Sequence, residues 1–147
     1  MKNVNTWILI ADGGKARVLV SEGRGSKLNE YEKMRMRAEE LPHAQPGTER
    51  PARVHESANP ARHAIEPRMT PKRHIESDFA REIADRLDGE LSNYERLVIV
   101  AAPKMLGDLR DFMSSAVAKK IEATVSKDLT NTPDNEILDH LNDEVKL

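Results

Sequence analysis

Four of the five histidines, His43, His55, His63 and His74, fall in one stretch from Pro42 to Ile75. Neutral imidazole is a good zinc ligand, but a zinc site needs defined spacing and usually Cys or carboxylate partners. The gaps here are twelve, eight and eleven residues. No two histidines stand at i and i+4, and His55-Glu56 lacks the second histidine of a metalloprotease helix. The spacing points to solvated loop histidines, with no metal and no cofactor. A two-cation nuclease needs several converging carboxylates. Asp12 closes an apolar run, and Asp78 or Glu82 could face it from a helix, yet the run Leu97–Ala102 carries no acid. Asp12 reads first as a hairpin-turn residue. Asp12, His55 and His63 therefore stand as weak catalytic candidates. Gly13-Gly14 lacks the spacing and following Lys-Ser/Thr of a phosphate loop, and Ser114-Ser115 lacks the glycine context of a nucleophile elbow.

The stronger chemical signal is cationic. Arg50, Arg53, Arg62, Arg68, Lys72 and Arg73 stand in the same stretch against three Glu. Guanidinium groups on a Pro-stiffened limb suit phosphate oxygens in structured RNA. Arg68, Lys72 and Arg73 also bracket an expected helix N-terminus, which favours anions. The partners this implies are the ribosome, tRNA or rRNA, or a partner protein chain. A net charge of -2 argues against a broad nucleic-acid-binding face.

Such a limb needs a scaffold. Pro42, Pro46, Pro51, Pro60, Pro67 and Pro71 are six of the eight prolines, and they forbid a long helix or a central strand through the stretch. The flanks are patterned. Trp7–Ala11 reads as a buried strand, Asp12-Gly13-Gly14-Lys15 as a turn, and Ala16–Val20 as the returning strand of a hairpin. Leu28–Met36 alternates as a third, edge-like strand. Thr70 is placed to cap a helix with Pro71 at its first position. Ile75, Phe79, Ile83, Leu87 and Leu91 then recur every fourth residue, with Gly89 or Leu91 near the end. Leu97–Ala102 is apolar on both faces, as a central strand covered on both sides would be. Lys104–Met113 follows as a helix, and Ser114 or Ser115 caps a short one through Val117 and Ile121. Ala123–Leu129 reads as the last strand, and Thr132-Pro133 opens a terminal helix with Ile137, Leu138, Leu141 and Val145 inward.

The order β-β-β-loop-α-β-α-β-α specifies a single α/β domain over residues 1–147, with a Pro/Arg/His-rich loop at 42–70. Its expected sheet has five mixed strands, an antiparallel meander then two parallel crossover strands, with flanking helices. That architecture resembles a ribonuclease-H-like topology. With 38% hydrophobic and 33% charged residues the chain suits a soluble globular protein. It has no cysteine, which excludes disulfides and thiolate zinc sites. The run Trp7–Ala11 is too short for a signal-peptide core, and nothing approaches a membrane span. The expected place is the cytoplasm, with no membrane partner.

Several segments carry a family resemblance. Trp7-Ile8-Leu9-Ile10-Ala11-Asp12-Gly13 with Ala16-Arg17-Val18, Arg62-His63-Ala64-Ile65-Glu66-Pro67, the Phe79-Ala80 helix, Leu97–Pro103 and Lys127-Asp128-Leu129-Thr130 together resemble the bacterial host attachment protein family. That family is similar in turn to the middle domain of archaeal and eukaryotic class 1 peptide-release factors and of Pelota. The resemblance implies a meander, a long loop, a long helix and an apolar strand. In release factors the loop carries Gly-Gly-Gln, which positions water on the peptidyl-tRNA ester. Here the only glycine and glutamine between Pro42 and Ile75 are Gly47 and Gln45. Gln45-Pro46-Gly47 has the reverse order and cannot follow that backbone path. The leading expectation is thus a non-enzymatic ribosome- or RNA-associated factor in translation or rescue. One alternative is a hydrolase of an RNA-linked ester or phosphodiester, acting through Asp12 and loop histidines. Another is an interaction protein needed for bacterial attachment to host cells.

Overall fold

The computed structural model describes residues 5–22, 28–41 and 70–141. Strand β1 (Thr6–Ala11) is buried at every position. Its odd and even side chains enter different cores, as a period of two requires. Strand β2 (Lys15–Ser21) returns antiparallel to it, from Ala11↔Ala16 to Thr6↔Ser21. Strand β5 (Arg96–Ala101) lies on the other side of β1, parallel, from Thr6↔Arg96 to Ala11↔Ala101. Strand β6 (Ile121–Val125) extends the parallel half. The apolar run on both faces of β5 is thus a central strand, as its composition specifies.

The expected third strand is interrupted. Two short pieces, β3 (Asn29–Glu30) and β4 (Met36–Arg37), both pair with β2, and a 3-10 turn at Glu32–Met34 divides them. The sheet therefore has six strands rather than five, in the order β3-β2-β1-β5-β6 with β4 beside β2. The turn has a packing cause. In a 3-10 turn positions three apart eclipse, so Tyr31 and Met34 both reach the core under Trp7. A continuous strand would send one of them to the other face. The two tyrosine rings flank Trp7, with centroids 4.8 Å (Tyr31) and 4.6 Å (Tyr94) away. Tyr94 donates its hydroxyl to the Leu87 carbonyl at 2.8 Å, and burial pushes its phenol up to about 12.

Helix α1 (Pro71–Gly89) begins where the sequence says. The Thr70 hydroxyl accepts from the Arg73 amide and Pro71 occupies the first turn. Phe79, Ala80, Ile83, Ala84 and Leu87 are its buried stripe. A 3-10 turn at Leu91–Asn93 follows it. Helix α2 (Pro103–Phe112) connects β5 toward β6. Helix α3 is only Ser115–Ala118, capped by Ser114. Its expected extension to Ile121 fails because Ile121 already opens β6, and Lys120 is held outside the helix. The Lys120 ammonium donates to the Leu91 and Tyr94 carbonyls at 2.6 and 2.7 Å. The last strand is likewise shorter than Ala123–Leu129: it starts two residues earlier and ends at Val125, leaving Leu129 buried in the loop beyond. Helix α4 (Asp134–Leu141) buries Ile137 and Leu141, and Leu138 is half-buried. Val145 lies outside the described residues.

Two cores result. On one face Trp7, Leu9, Val18, Leu97 and Ile99 pack under α1, α2 and α3. On the other, Ile8, Ile10, Leu19, Val98 and Val100 pack under α4, the one described helix on that face, with Leu129. No described helix is long and apolar enough to cross a membrane.

Candidate functional site

The carboxyl ends of β1 and β5 lie side by side, at Ala11↔Ala101, and the next residues make a corner. After β1 the chain must reverse within Asp12–Gly14. Asp12 drives that reversal through its side chain. Its Oδ1 accepts from the Gly14 and Lys15 amides, both at 2.8 Å, while its own amide donates to the Lys15 carbonyl at 2.9 Å. This is an Asx turn, the local arrangement for which Asp and Asn are favoured. The second oxygen, Oδ2, accepts from the Thr130 hydroxyl at 2.9 Å, a bond between residues 118 apart.

Thr130 in turn sits in an Asx turn of Asp128. Its amide and hydroxyl lie 3.2 and 2.7 Å from Asp128 Oδ1. A hydroxyl has one proton, so it serves one of the two carboxylates at a time. For Asp12 the largest single influence is burial, which opposes ionisation. The Gly14 and Lys15 amides, the Thr130 hydroxyl and the Lys15 charge together outweigh it and hold the carboxyl below its ordinary value. Asp12 is an ionised acceptor with three donors already on it. That is the chemistry of a turn, and it is opposite to that of a general acid, whose pKa must be raised toward neutrality.

Beside this corner, α1 and α2 enclose a crevice of about 170 Å³ lined by Gly13, Arg73, Glu76, Lys104 and Asp108 among others. The guanidinium of Arg73 grips Asp108 through both oxygens, at 2.6 and 2.7 Å, and stands 3.7 Å from Glu76. This fork-to-fork geometry is the strong form of the ion pair. The Asp108 hydrogen bond leads the influences that raise the Arg73 pKa. Arg73, expected to meet an external phosphate, is thus neutralised across the two helices. Lys72 stays exposed on the first turn of α1, as does His74. Glu76 lies over Gly13 so closely that a Cβ there would be 2.7 Å from its Cγ. Glu82 pairs with Arg86 one turn along the helix at 3.0 Å. Among the described residues no group of three His, Asp or Glu could hold a metal ion. Arg50, Arg53, Arg62, Arg68, His43, His55 and His63 lie outside the described residues.

Spacing arguments missed Thr130, Asp128 and Arg17. Arg17 stands on β2, on the α4 face, and donates to the Thr130 and Thr132 carbonyls at 2.7 and 2.6 Å. The signal for these residues was present only as paired fragments, Ala16-Arg17-Val18 and Lys127-Asp128-Leu129-Thr130. Nothing in their periodicity says that they meet.

A family model described as "Protein required for attachment to host cells" matches residues 7–141. That span takes in both halves of the sheet and the whole Asp12–Thr130 corner. No curated protein matches the chain.

Proposed function

From the premise that the chain belongs to this family of proteins required for attachment to host cells, we propose that it is an interaction protein serving bacterial attachment, working by contact rather than by catalysis. One observation carries the second half of that reading. Asp12, the acid best placed for chemistry at the strand ends, is engaged as the acceptor of the Gly14 and Lys15 amides and within reach of the Thr130 hydroxyl that it shares with Asp128. The test follows from that geometry. An Asn at position 12 keeps the Asx turn, and its amide can donate to the Thr130 oxygen while the Thr130 hydroxyl donates to Asp128.

In a strain lacking the protein, adherent bacteria on cultured host cells are expected to fall in number. Wild type and Asp12→Asn are expected to restore them equally. Restoration by wild type alone would return chemistry to Asp12, and undiminished adherence in the deletion strain would remove the attachment reading.

The competing proposal is a cytoplasmic ribosome- or RNA-associated factor resembling a release-factor middle domain. Its support is the exposed Lys72 and the arginines of the 42–70 stretch. Co-sedimentation with ribosomes that weakens steeply with salt, and falls in Arg62→Ala, Arg68→Ala and Lys72→Ala, would favour it.

A further inference from the structure

On the α4 face, the margin formed by β2 and β4 has no described helix over it, and a cleft of about 500 Å³ opens there. Its size is that of a small-molecule site. Its chemistry is unlike the rest of that face. Lys15, Arg17, Arg35 and Arg37 line it against two carboxylates, Glu30 and Asp134. Alternation along β2 and β4 explains the cluster. Lys15 and Arg17 share one face with Arg35 and Arg37, while Ala16 and Met36 between them enter the other core.

The cations are not equally committed. Arg17 forms the floor, tied to the Thr130 and Thr132 carbonyls, with its Nε 3.1 Å from Asp134 and no well-aligned hydrogen bond. Arg35 holds both oxygens of Glu30 at 2.7 Å, and its hydrogen bond is the first cause keeping that carboxyl below its ordinary value. Among the described residues the Lys15 ammonium donates to the neutral Asn131 amide oxygen, at 2.5 Å. Arg37 is exposed, and among the described residues it has no ion-pair partner. Among the described residues the cleft's two carboxylates thus account for Arg17 and Arg35, leaving Lys15, whose charge also acts on Asp12, and Arg37 with no carboxylate in contact. These two are cross-strand neighbours, Lys15↔Arg37, so their heads can converge on one group.

We propose that this cleft binds a small hydroxylated dianion of the sugar-phosphate class, with Lys15 and Arg37 on the phosphate and the Asn131–Thr132 rim against the hydroxyls. Two cations with no carboxylate in contact among the described residues match a phosphate dianion in charge, and Arg supplies the planar fork that phosphate oxygens prefer. Among the described residues no aromatic ring lines the cleft to stack a nucleobase. This inference stands apart from the attachment reading and survives its failure.

The test is a titration of the full chain, followed by amide chemical shifts, with glucose 6-phosphate, inorganic phosphate and glucose in separate arms. Expected are saturable shifts at Lys15–Arg17, Met36–Arg37 and Thr130–Thr132 with glucose 6-phosphate, weaker ones with inorganic phosphate, and none with glucose. Arg37→Gln, at an exposed position, should leave the spectrum folded and raise the dissociation constant about fivefold, the scale of one partly exposed charged contact. Lys15→Gln should act in the same direction. Shifts equal in free phosphate and glucose 6-phosphate would reduce the site to a phosphate site and overturn the sugar assignment. No shift in the cleft with either anion, or an Arg37→Gln titration identical to wild type, would overturn the proposal.

Discussion

The two faces of the sheet are built from the same strands and yet carry unequal loads. On the α1 face, odd residues of β1 and β5 meet three helices, and the core includes Trp7, both tyrosines and Phe79. On the α4 face, even residues of the same strands meet one described helix, Asp134–Leu141, and the described core is aliphatic. The difference teaches where stability and exposure are placed. Among the described residues, the side roofed by three helices keeps a crevice around the Arg73–Asp108 pair. On the other side no described helix covers the β2–β4 margin, and the cationic cleft lies there.

Cavity-forming substitutions should make this inequality measurable. Phe79→Ala removes a ring from the roofed core and is expected to cost about 3–5 kcal/mol in urea unfolding. Ile137→Ala, in the smaller core, should lie near the lower limit for such changes, about 2 kcal/mol, because a short helix can settle into the gap. Equal costs would break the comparison.

The next effect is polar. Asp108→Ala leaves the Arg73 guanidinium without its fork and should cost about 1–2 kcal/mol. Asp108→Asn, which keeps one acceptor, should cost less, and the ordering is read from unfolding midpoints. A null result for both would mean that solvent replaces the pair without loss.

The smallest effect concerns the joint between the faces. Asp12→Ala breaks the Asx turn and the bond to Thr130, for about 1 kcal/mol, while Asp12→Asn should cost a fraction of that. The sign with pH is fixed by the lowered folded-state pKa. The contribution of the carboxylate is complete above the ordinary value of 3.8 and is lost as pH falls through the lower folded value. The stability difference between wild type and Asp12→Asn should therefore be flat from neutrality down to about pH 5 and shrink below 3.8. A difference that changes near pH 7 would point to a raised pKa and to a different role for Asp12.

Much of this scaffold was legible beforehand for physical reasons that can be named. Helix α1 announces itself through a threonine cap, a proline at its first position and an apolar stripe of fixed period. Strand β5 does so through a run with no polar face. Local signals failed where tertiary packing decided. The strand expected over Leu28–Met36 breaks because Tyr31 and Met34 are both drawn under Trp7. The strand expected to reach Leu129 ends early because that leucine is needed beneath α4. The candidate site was half visible. Asp12 could be read as a turn residue from the glycines after it, but its bond to Thr130 joins positions that no periodicity connects. The pairing of Arg73 with Asp108 was hidden for the same reason, since charge pattern along a chain does not say which helix will face which.

The placement of β1 between β2 and β5 also bears on synthesis of the chain. Its first neighbour follows within a few residues, but the second, Arg96 opposite Thr6, arrives 90 positions later. At about 5–20 residues per second, a nascent β1–β2 hairpin waits on the order of ten seconds with one edge of its most apolar strand unpaired. A long-range pairing of this kind slows folding and offers that edge to other chains in the interval. Chaperone engagement of the β1–β2 hairpin during synthesis is the expected consequence of a strand whose second neighbour arrives so late.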